Sequence, residues 1–219
     1  ARFPNVLPFR KICRAFEVSE YSLAFRREAA ISLAMNAKPR IDAAAIELFT
    51  RVGVDAATTK ELAAMAGISE GAIYRHYKSK DQLAVSLFMG AHRRLSALVE
   101  EAGKSSTDIM EQVAAVVRAY CQAADENWPL FSFHMLTMHR FLPYYQEDGL
   151  DPVTMVENVL KRAMLNAQIP PADPRVLASM CIGVITQTAQ NRIYNRFDTP
   201  LSSHADLMIK AVQAILLAR

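Results

Sequence analysis

The chain has 219 residues, 52% of them hydrophobic, and its 25 Lys and Arg against 22 Asp and Glu leave a formal net charge of +3 at pH 7. That length and apolar content can bury a substantial core in one large or two smaller domains. Three widely spaced cysteines, Cys13, Cys121 and Cys181, exclude a disulfide framework and a closely spaced zinc site, and they point to a reduced compartment.

Residues 1–38 hold Arg2, Arg10, Lys11, Arg14, Arg26, Arg27 and Lys38 among apolar residues, without the continuous apolar core of a signal peptide. Ile41, Ala44, Ala45, Leu48, Phe49 and Val52 then mark one face of a helix beginning after Pro39 and stopping at Gly53. Thr58 and Glu61 form a capping box that opens a second helix with Leu62, Ala63 and Ala66 on its apolar face, ended by Gly67. Ser69 recaps the chain for a short helix over 70–77 that buries Ile73 and Tyr77 at i, i+4 and leaves Glu70, Gly71, Tyr74, Arg75 and His76 outward. Small Ala63 lets the two helices cross closely. This is a helix-turn-helix, and Ser79 with Gln82 starts the next helix, placing Lys80 near an amide-rich N-terminus suited to phosphate.

The run GISEGAIYRHYKSKDQL and the helix before it resemble the TetR family of bacterial regulators over about residues 41–88, with Ala63, Gly67, Tyr74, Tyr77 and Lys80 agreeing with its pattern. The resemblance implies an all-α protein with an N-terminal three-helix DNA-binding unit and a larger C-terminal helical domain for ligand binding and dimerisation. The expected division is 1–38 as an N-terminal extension, 39–86 as the DNA-binding domain and 87–219 as the effector and dimerisation domain. By motif, Glu70, Gly71, Tyr74, Arg75 and His76 face DNA while Thr59, Lys60 and Lys80 grip phosphates. Arg75 can donate a bidentate pair to guanine. Two readings of the extension stay open. It is a basic arm for the minor groove, with Lys38 and Arg40 best placed, or residues 1–34 precede a natural start at Met35.

Charge follows the same division. Residues 1–85 carry 13 basic against 9 acidic side chains and residues 86–219 carry 12 against 13, so the reading end is the positive one.

Further helices are expected at 81–102, 107–127, 130–142, 153–168, 175–197 and from 202 or 203 to 217, nine or ten in all. Asp151-Pro152 and Asp173-Pro174 are N-cap and first-turn proline pairs. Aromatic and sulfur side chains gather around Cys121, Trp128, Phe131, His134, Met135, Met138 and Phe141, candidates for a pocket holding a small apolar or amphipathic effector, although they fill cores equally well. On the last two helices Met180, Gly183, Val184, Gln187 and Asn191, with Leu207, Ala211 and Ala214, are candidates for the homodimer interface that the resemblance implies.

The uncharged run from 176 to 191 falls short of a membrane span. No phosphate loop, nucleophile elbow or metal-spaced His pair appears, His134 and His139 being five apart, so neither an enzyme nor a cofactor is expected. The reading is a cytoplasmic, sequence-specific transcriptional regulator, a repressor released from a palindromic operator by its effector. The alternative is a TetR-like structural or partner-recruiting factor without an inducer.

Overall fold

Capping chemistry sets several of the helix ends in the computed structural model, which describes residues 37–142 and 152–218. Nine α-helices occur among the described residues. They are α1 Ala37–Val52, α2 Thr59–Ala66, α3 Glu70–Tyr74, α4 Lys80–Gly103, α5 Ile109–Glu126, α6 Trp128–Phe141, α7 Pro152–Leu165, α8 Pro174–Ile193 and α9 Ala205–Leu217, with a 3-10 turn at Leu201–His204 before the last. The Asp108 carboxylate accepts the Met110 and Glu111 amides at the start of α5, and Asp173 accepts the Arg175 amide at the start of α8 with Pro174 in the first turn. These satisfy donors that a helix N-terminus cannot pair internally. The expected cap at Asp151, Pro143 and Cys13, and the whole arm through residue 36, lie outside the described residues.

Several boundaries differ from the sequence pattern for identifiable reasons. Pro39 lies inside the first turn of α1, and Pro129 inside that of α6, where a missing N–H leaves no broken bond. α7 stops at Leu165 and not 168 because Ala167 turns left-handed at φ 53° and the Gln168 amide folds back onto the Ala163 carbonyl. Asn195 does the same after α8, its φ also 53°, so that helix ends at Ile193 and not 197. Both are Schellman-type stops made without glycine.

The described chain falls into two compact units. The first comprises residues 37–90 together with Trp128–Phe141, the second residues 91–127, 142 and 152–218. The long helix α4 contributes its first half to one unit and its second half to the other. α6 thus groups with the N-terminal helices, where Phe133 and Phe141 join Ile41, Leu48, Phe49 and Phe88 in one core. Arg140 at its end pairs with Asp55 at 2.7 Å and Asp81 at 3.3 Å.

In the second unit Leu160, Leu177, Ala178, Cys181, Val212 and Leu216 form a core, and one buried polar cluster ties it together. Arg192 on α8, 4% exposed, pairs with Asp125 at the end of α5. The same carboxylate accepts the Leu201 and Ser202 amides at 2.9 and 2.8 Å, at the start of the 3-10 turn. Burial alone would raise the Asp125 pKa, but hydrogen bonds from Ser202, Leu201 and Arg192 together bring it below the ordinary carboxylate range. Its stabilisation is present above the unfolded carboxylate pKa and is lost as pH falls through the lower folded value. Asp125→Asn leaves the buried guanidinium without its counter-charge and is expected to cost about 3 kcal/mol. Urea unfolding at pH 7 and again below pH 4 checks this, and the gap between wild type and variant should narrow at the lower pH.

Candidate nucleic-acid interface

α2 and α3 are too short to hold their places alone, so their geometry rests on ties to α1. The Thr58 hydroxyl accepts the Glu61 amide at 3.2 Å while the Glu61 carboxylate accepts the Thr58 amide at 3.0 Å. At the other end Gly67 stands at φ 62°, ψ 40°, with its amide on the Ala64 carbonyl and the Ile68 amide on the Ala63 carbonyl. This left-handed stop reverses the chain between the two helices.

Arg40 holds that turn from α1, donating from Nη2 to the Gly67 carbonyl at 2.8 Å. A Cβ on Gly67 would lie 2.7 Å from the same Nη2. The position therefore needs glycine for its dihedral, and a Cβ there would also displace the end of the arginine side chain. Arg40, read from sequence as a DNA contact, is half-buried and caps the reading head with Nη2.

The far end of α3 is fastened similarly. The Tyr77 hydroxyl donates to Asp42 Oδ1 at 2.5 Å, Lys38 Nζ donates to Oδ2 at 2.8 Å, and the Lys38 ammonium lies 5.3 Å from the Tyr77 ring centroid. The Lys38 pKa is raised, chiefly by the hydrogen bond to Asp42 and then by Tyr77. Lys38, the other arm candidate, is thus committed to α1 and Tyr77.

Lys80, expected to grip phosphate, is partly engaged within the head. Its ammonium donates to the Asp55 carbonyl at 3.1 Å and the Ala57 carbonyl at 2.7 Å, which anchors the turn ahead of α2 and leaves one donor of three. The capping pair at Ser79 is displaced by one residue. Ser79 Oγ accepts the Gln82 amide, but Gln82 Oε1 accepts from the Lys78 amide.

What remains outward is the face of α3 and the edge of α2. Glu70, Gly71, Tyr74, Arg75 and His76 are all exposed, with Tyr74 52% so, while Ile73 and Tyr77 are buried. A Cβ on Gly71 would meet nothing within 4 Å, so nothing in the described chain demands glycine there. Lys60 is exposed, and the Thr59 hydroxyl bonds Glu70 Oε2 at 3.1 Å across the pair of helices. Exposed Lys78 was missed in the sequence pattern; its position between buried Tyr77 and the start of α4 was the available signal. A capped two-helix element with cations and an outward tyrosine is the geometry of a helix-turn-helix DNA-binding domain.

The sequence-selected pocket residues fall elsewhere. Phe131, His134 and Phe141 are buried in the first unit, His134 stacked on Phe88 at 4.9 Å. Trp128 stacks on Phe131 at 5.6 Å, Met135 and Met138 are half-buried, and Cys121 is fully buried in the second unit, its thiol pushed up to about 12 by burial. None of them lines the cavity of about 320 Å³ in the second unit, whose walls come from α4, α5, α7, α8 and α9. Aromatic rings here do core packing, and about half of the cavity's lining is valine and isoleucine.

The dimer candidates divide. Met180 is 51% and Leu207 71% exposed, Gln187 and Ala214 are exposed, and a Cβ on Gly183 would meet nothing within 4 Å. Val184 packs toward the second core, and Asn191 and Ala211 are half-buried. Val176, 57% exposed, and Leu217, also 57%, extend the uncovered apolar faces of α8 and α9.

Residues 41–87 match the family model described as bacterial regulatory proteins, tetR family. The HTH-type transcriptional regulator YerO of Bacillus subtilis is 36% identical over 80 residues, 34% of this chain and 28% of that protein, so the match spans less than a third of YerO's length. The nucleoid occlusion factor SlmA of Photobacterium profundum is 25% identical over 150 residues, 64% of this chain and 74% of its own. The transcriptional regulator FadR of Bacillus subtilis, solved in complex with stearoyl-CoA, superposes with a TM-score of 0.64 at 19% identity, covering 80% of this chain and 97% of that one. Residues 41–87 thus carry the helix-turn-helix segment that the TetR family of transcriptional regulators shares.

Gly67→Ala forces the left-handed dihedral on a residue with a Cβ and pushes Arg40 off its carbonyl. The expected loss is about 1–2 kcal/mol, read as a lower thermal midpoint. Arg40→Met should lower it too, and the double variant should lose less than the sum of the two because both act on one bond.

Proposed function

We propose that this protein is a homodimeric, cytoplasmic repressor that binds a palindromic operator and leaves it when a small apolar or amphipathic molecule enters the second unit. The observation that carries this reading is the pairing of an outward-facing α3 with an aliphatic cavity of about 320 Å³ in a separate unit. Two reading heads in one dimer can occupy successive major grooves, one helical turn or a multiple apart. Tyr74, Arg75 and His76 read or flank base edges, Gly71 lets the backbone approach, and Lys60, Lys78 and the remaining donor of Lys80 meet phosphate.

The exposed apolar residues of α8 and α9 support dimerisation through those helices. α8 also walls the cavity through Cys181, Ile182 and Ile185, so a ligand there presses on the helix that would carry the interface. A 100-fold loss of operator affinity on effector binding needs only about 2.7 kcal/mol of coupling. FadR's complex with stearoyl-CoA agrees with ligand control. The similarity to a nucleoid occlusion factor keeps open a second reading, a DNA-bound structural factor without an inducer; on that reading, filling the cavity leaves DNA affinity unchanged.

Contacts to phosphate and to base edges separate by salt and sequence. Lys60→Ala should weaken binding to specific and random duplexes alike and reduce the slope of log affinity against log salt by about one. Arg75→Ala should cost about 1–3 kcal/mol on the preferred duplex and little on random DNA. Equal losses for both variants on both duplexes would sink the assignment.

Dimerisation is checked by sedimentation. Met180→Glu combined with Leu207→Glu should shift the protein to monomers and lower affinity for a two-half-site duplex by at least about 100-fold, since the second head then binds as a separate molecule. A duplex carrying one half-site should be bound as before.

A further inference from the structure

The lining of the second-unit cavity restricts its occupant more narrowly than ligand control requires. Its body is formed by Val113, Val116, Val117, Val159, Ile182 and Ile185, short β-branched side chains with little rotameric freedom. Among the described residues no aromatic ring lines it, so a flat aromatic ligand finds no stacking partner. Cys181 on the wall behaves as an apolar surface, since burial pushes its thiol up to about 11.

The lining also carries polar groups. Glu100 on α4, Lys104 just past its end, Gln112 on α5, and Asn158 and Arg162 on α7 all border the cavity. Lys104 Nζ bonds Glu100 Oε1 at 2.6 Å, whereas Arg162 is exposed and forms no ion pair among the described residues. A Cβ on Gly103 would meet nothing within 4 Å, so space remains beside the lysine. A methylene chain matches the aliphatic body, and an anion matches Arg162 with the outer side of Lys104.

We infer that the cavity is a binding site for a single-chain aliphatic anion, its chain between the valine walls and its charged end at Arg162 and Lys104. At interior packing density the space accepts a chain on the order of ten carbons. The inference rests on the ligand-controlled reading for its biological use but not for its chemistry. A free fatty carboxylate and an acyl thioester of coenzyme A share that chemistry, one offering a carboxylate and the other phosphates.

The test is calorimetric titration of the full-length protein, stripped of bound lipid, with butanoate, octanoate, decanoate, decanoyl-CoA, decanol and 2-naphthoate. Affinity should rise about fourfold per methylene until the cavity is full and then level off. Decanoate or decanoyl-CoA should bind at least about tenfold more tightly than decanol, and which of the two binds better identifies the source of the anion. Lys104→Gln with Arg162→Gln should remove the advantage over decanol while leaving decanol binding unchanged. Gly103→Leu, which fills open space and should leave the thermal midpoint intact, should weaken every chain of eight carbons or more.

No dependence on chain length, or 2-naphthoate binding as tightly as decanoate, overturns the assignment. Operator affinity measured in the same solutions keeps the two readings apart. Decanoate that binds without releasing DNA upholds the site and defeats its use as an inducer site. Release by an aromatic compound, indifferent to Gly103→Leu, defeats the site and upholds ligand control.

Discussion

One hydrogen bond, from Arg40 on α1 to the carbonyl of left-handed Gly67, governs how the reading head is presented. α2 has eight residues and α3 five, lengths at which an isolated helix in water is unstable. Their mutual angle is set by the turn between them and by the ties that hold the turn to a longer helix. Asp42 performs the complementary task for the other end by accepting from both Lys38 and Tyr77. α1 thus clamps the element at two points, and the cations nearest the DNA-facing surface are partly used in the clamp.

That double use explains why a modest positive charge serves such a surface. Of the basic residues in this region, Arg40 caps a carbonyl, Lys38 pairs with Asp42, and Lys80 bridges the Asp55 and Ala57 carbonyls. Lys60, Arg75 and Lys78 stay exposed. Positioning by fixed internal bonds lowers the ordering cost on binding, so fewer free charges suffice to make a specific contact. In the second unit Asp125 plays the comparable part, gathering Arg192 and the amides at 201 and 202 around one carboxylate, next to a core that leaves an aliphatic cavity open.

The helix-turn-helix was legible in the sequence because its signals are local. The Thr58/Glu61 box, the Gly67 stop and the i, i+4 burial of Ile73 and Tyr77 each depend on neighbours within a few residues. Arg40 and Lys80 were legible as cations near the right surface, but their partners lie 27, 25 and 23 residues away in sequence, and no periodicity reveals such a pairing. The second-unit cavity was not legible for a similar reason. Aromatic density between 128 and 141 marked the richest source of apolar contact area, which the fold spends on the core around Phe88, while the cavity is walled by valines that read as ordinary helix faces. The ends of α7 and α8 were overrun because Ala167 and Asn195 make left-handed stops where glycine would have signalled them.

A repressor of the proposed kind needs the exposed face of α3 to recognise a particular duplex in two symmetric copies. Selection of genomic fragments by the purified protein, followed by sequencing of what it retains, tests that most directly. The expected result is short sequences with inverted half-sites one helical turn or a multiple apart, bound with an affinity that falls steeply as salt rises. Retention of fragments without a shared sequence, or of single half-sites as strongly as paired ones, would contradict it.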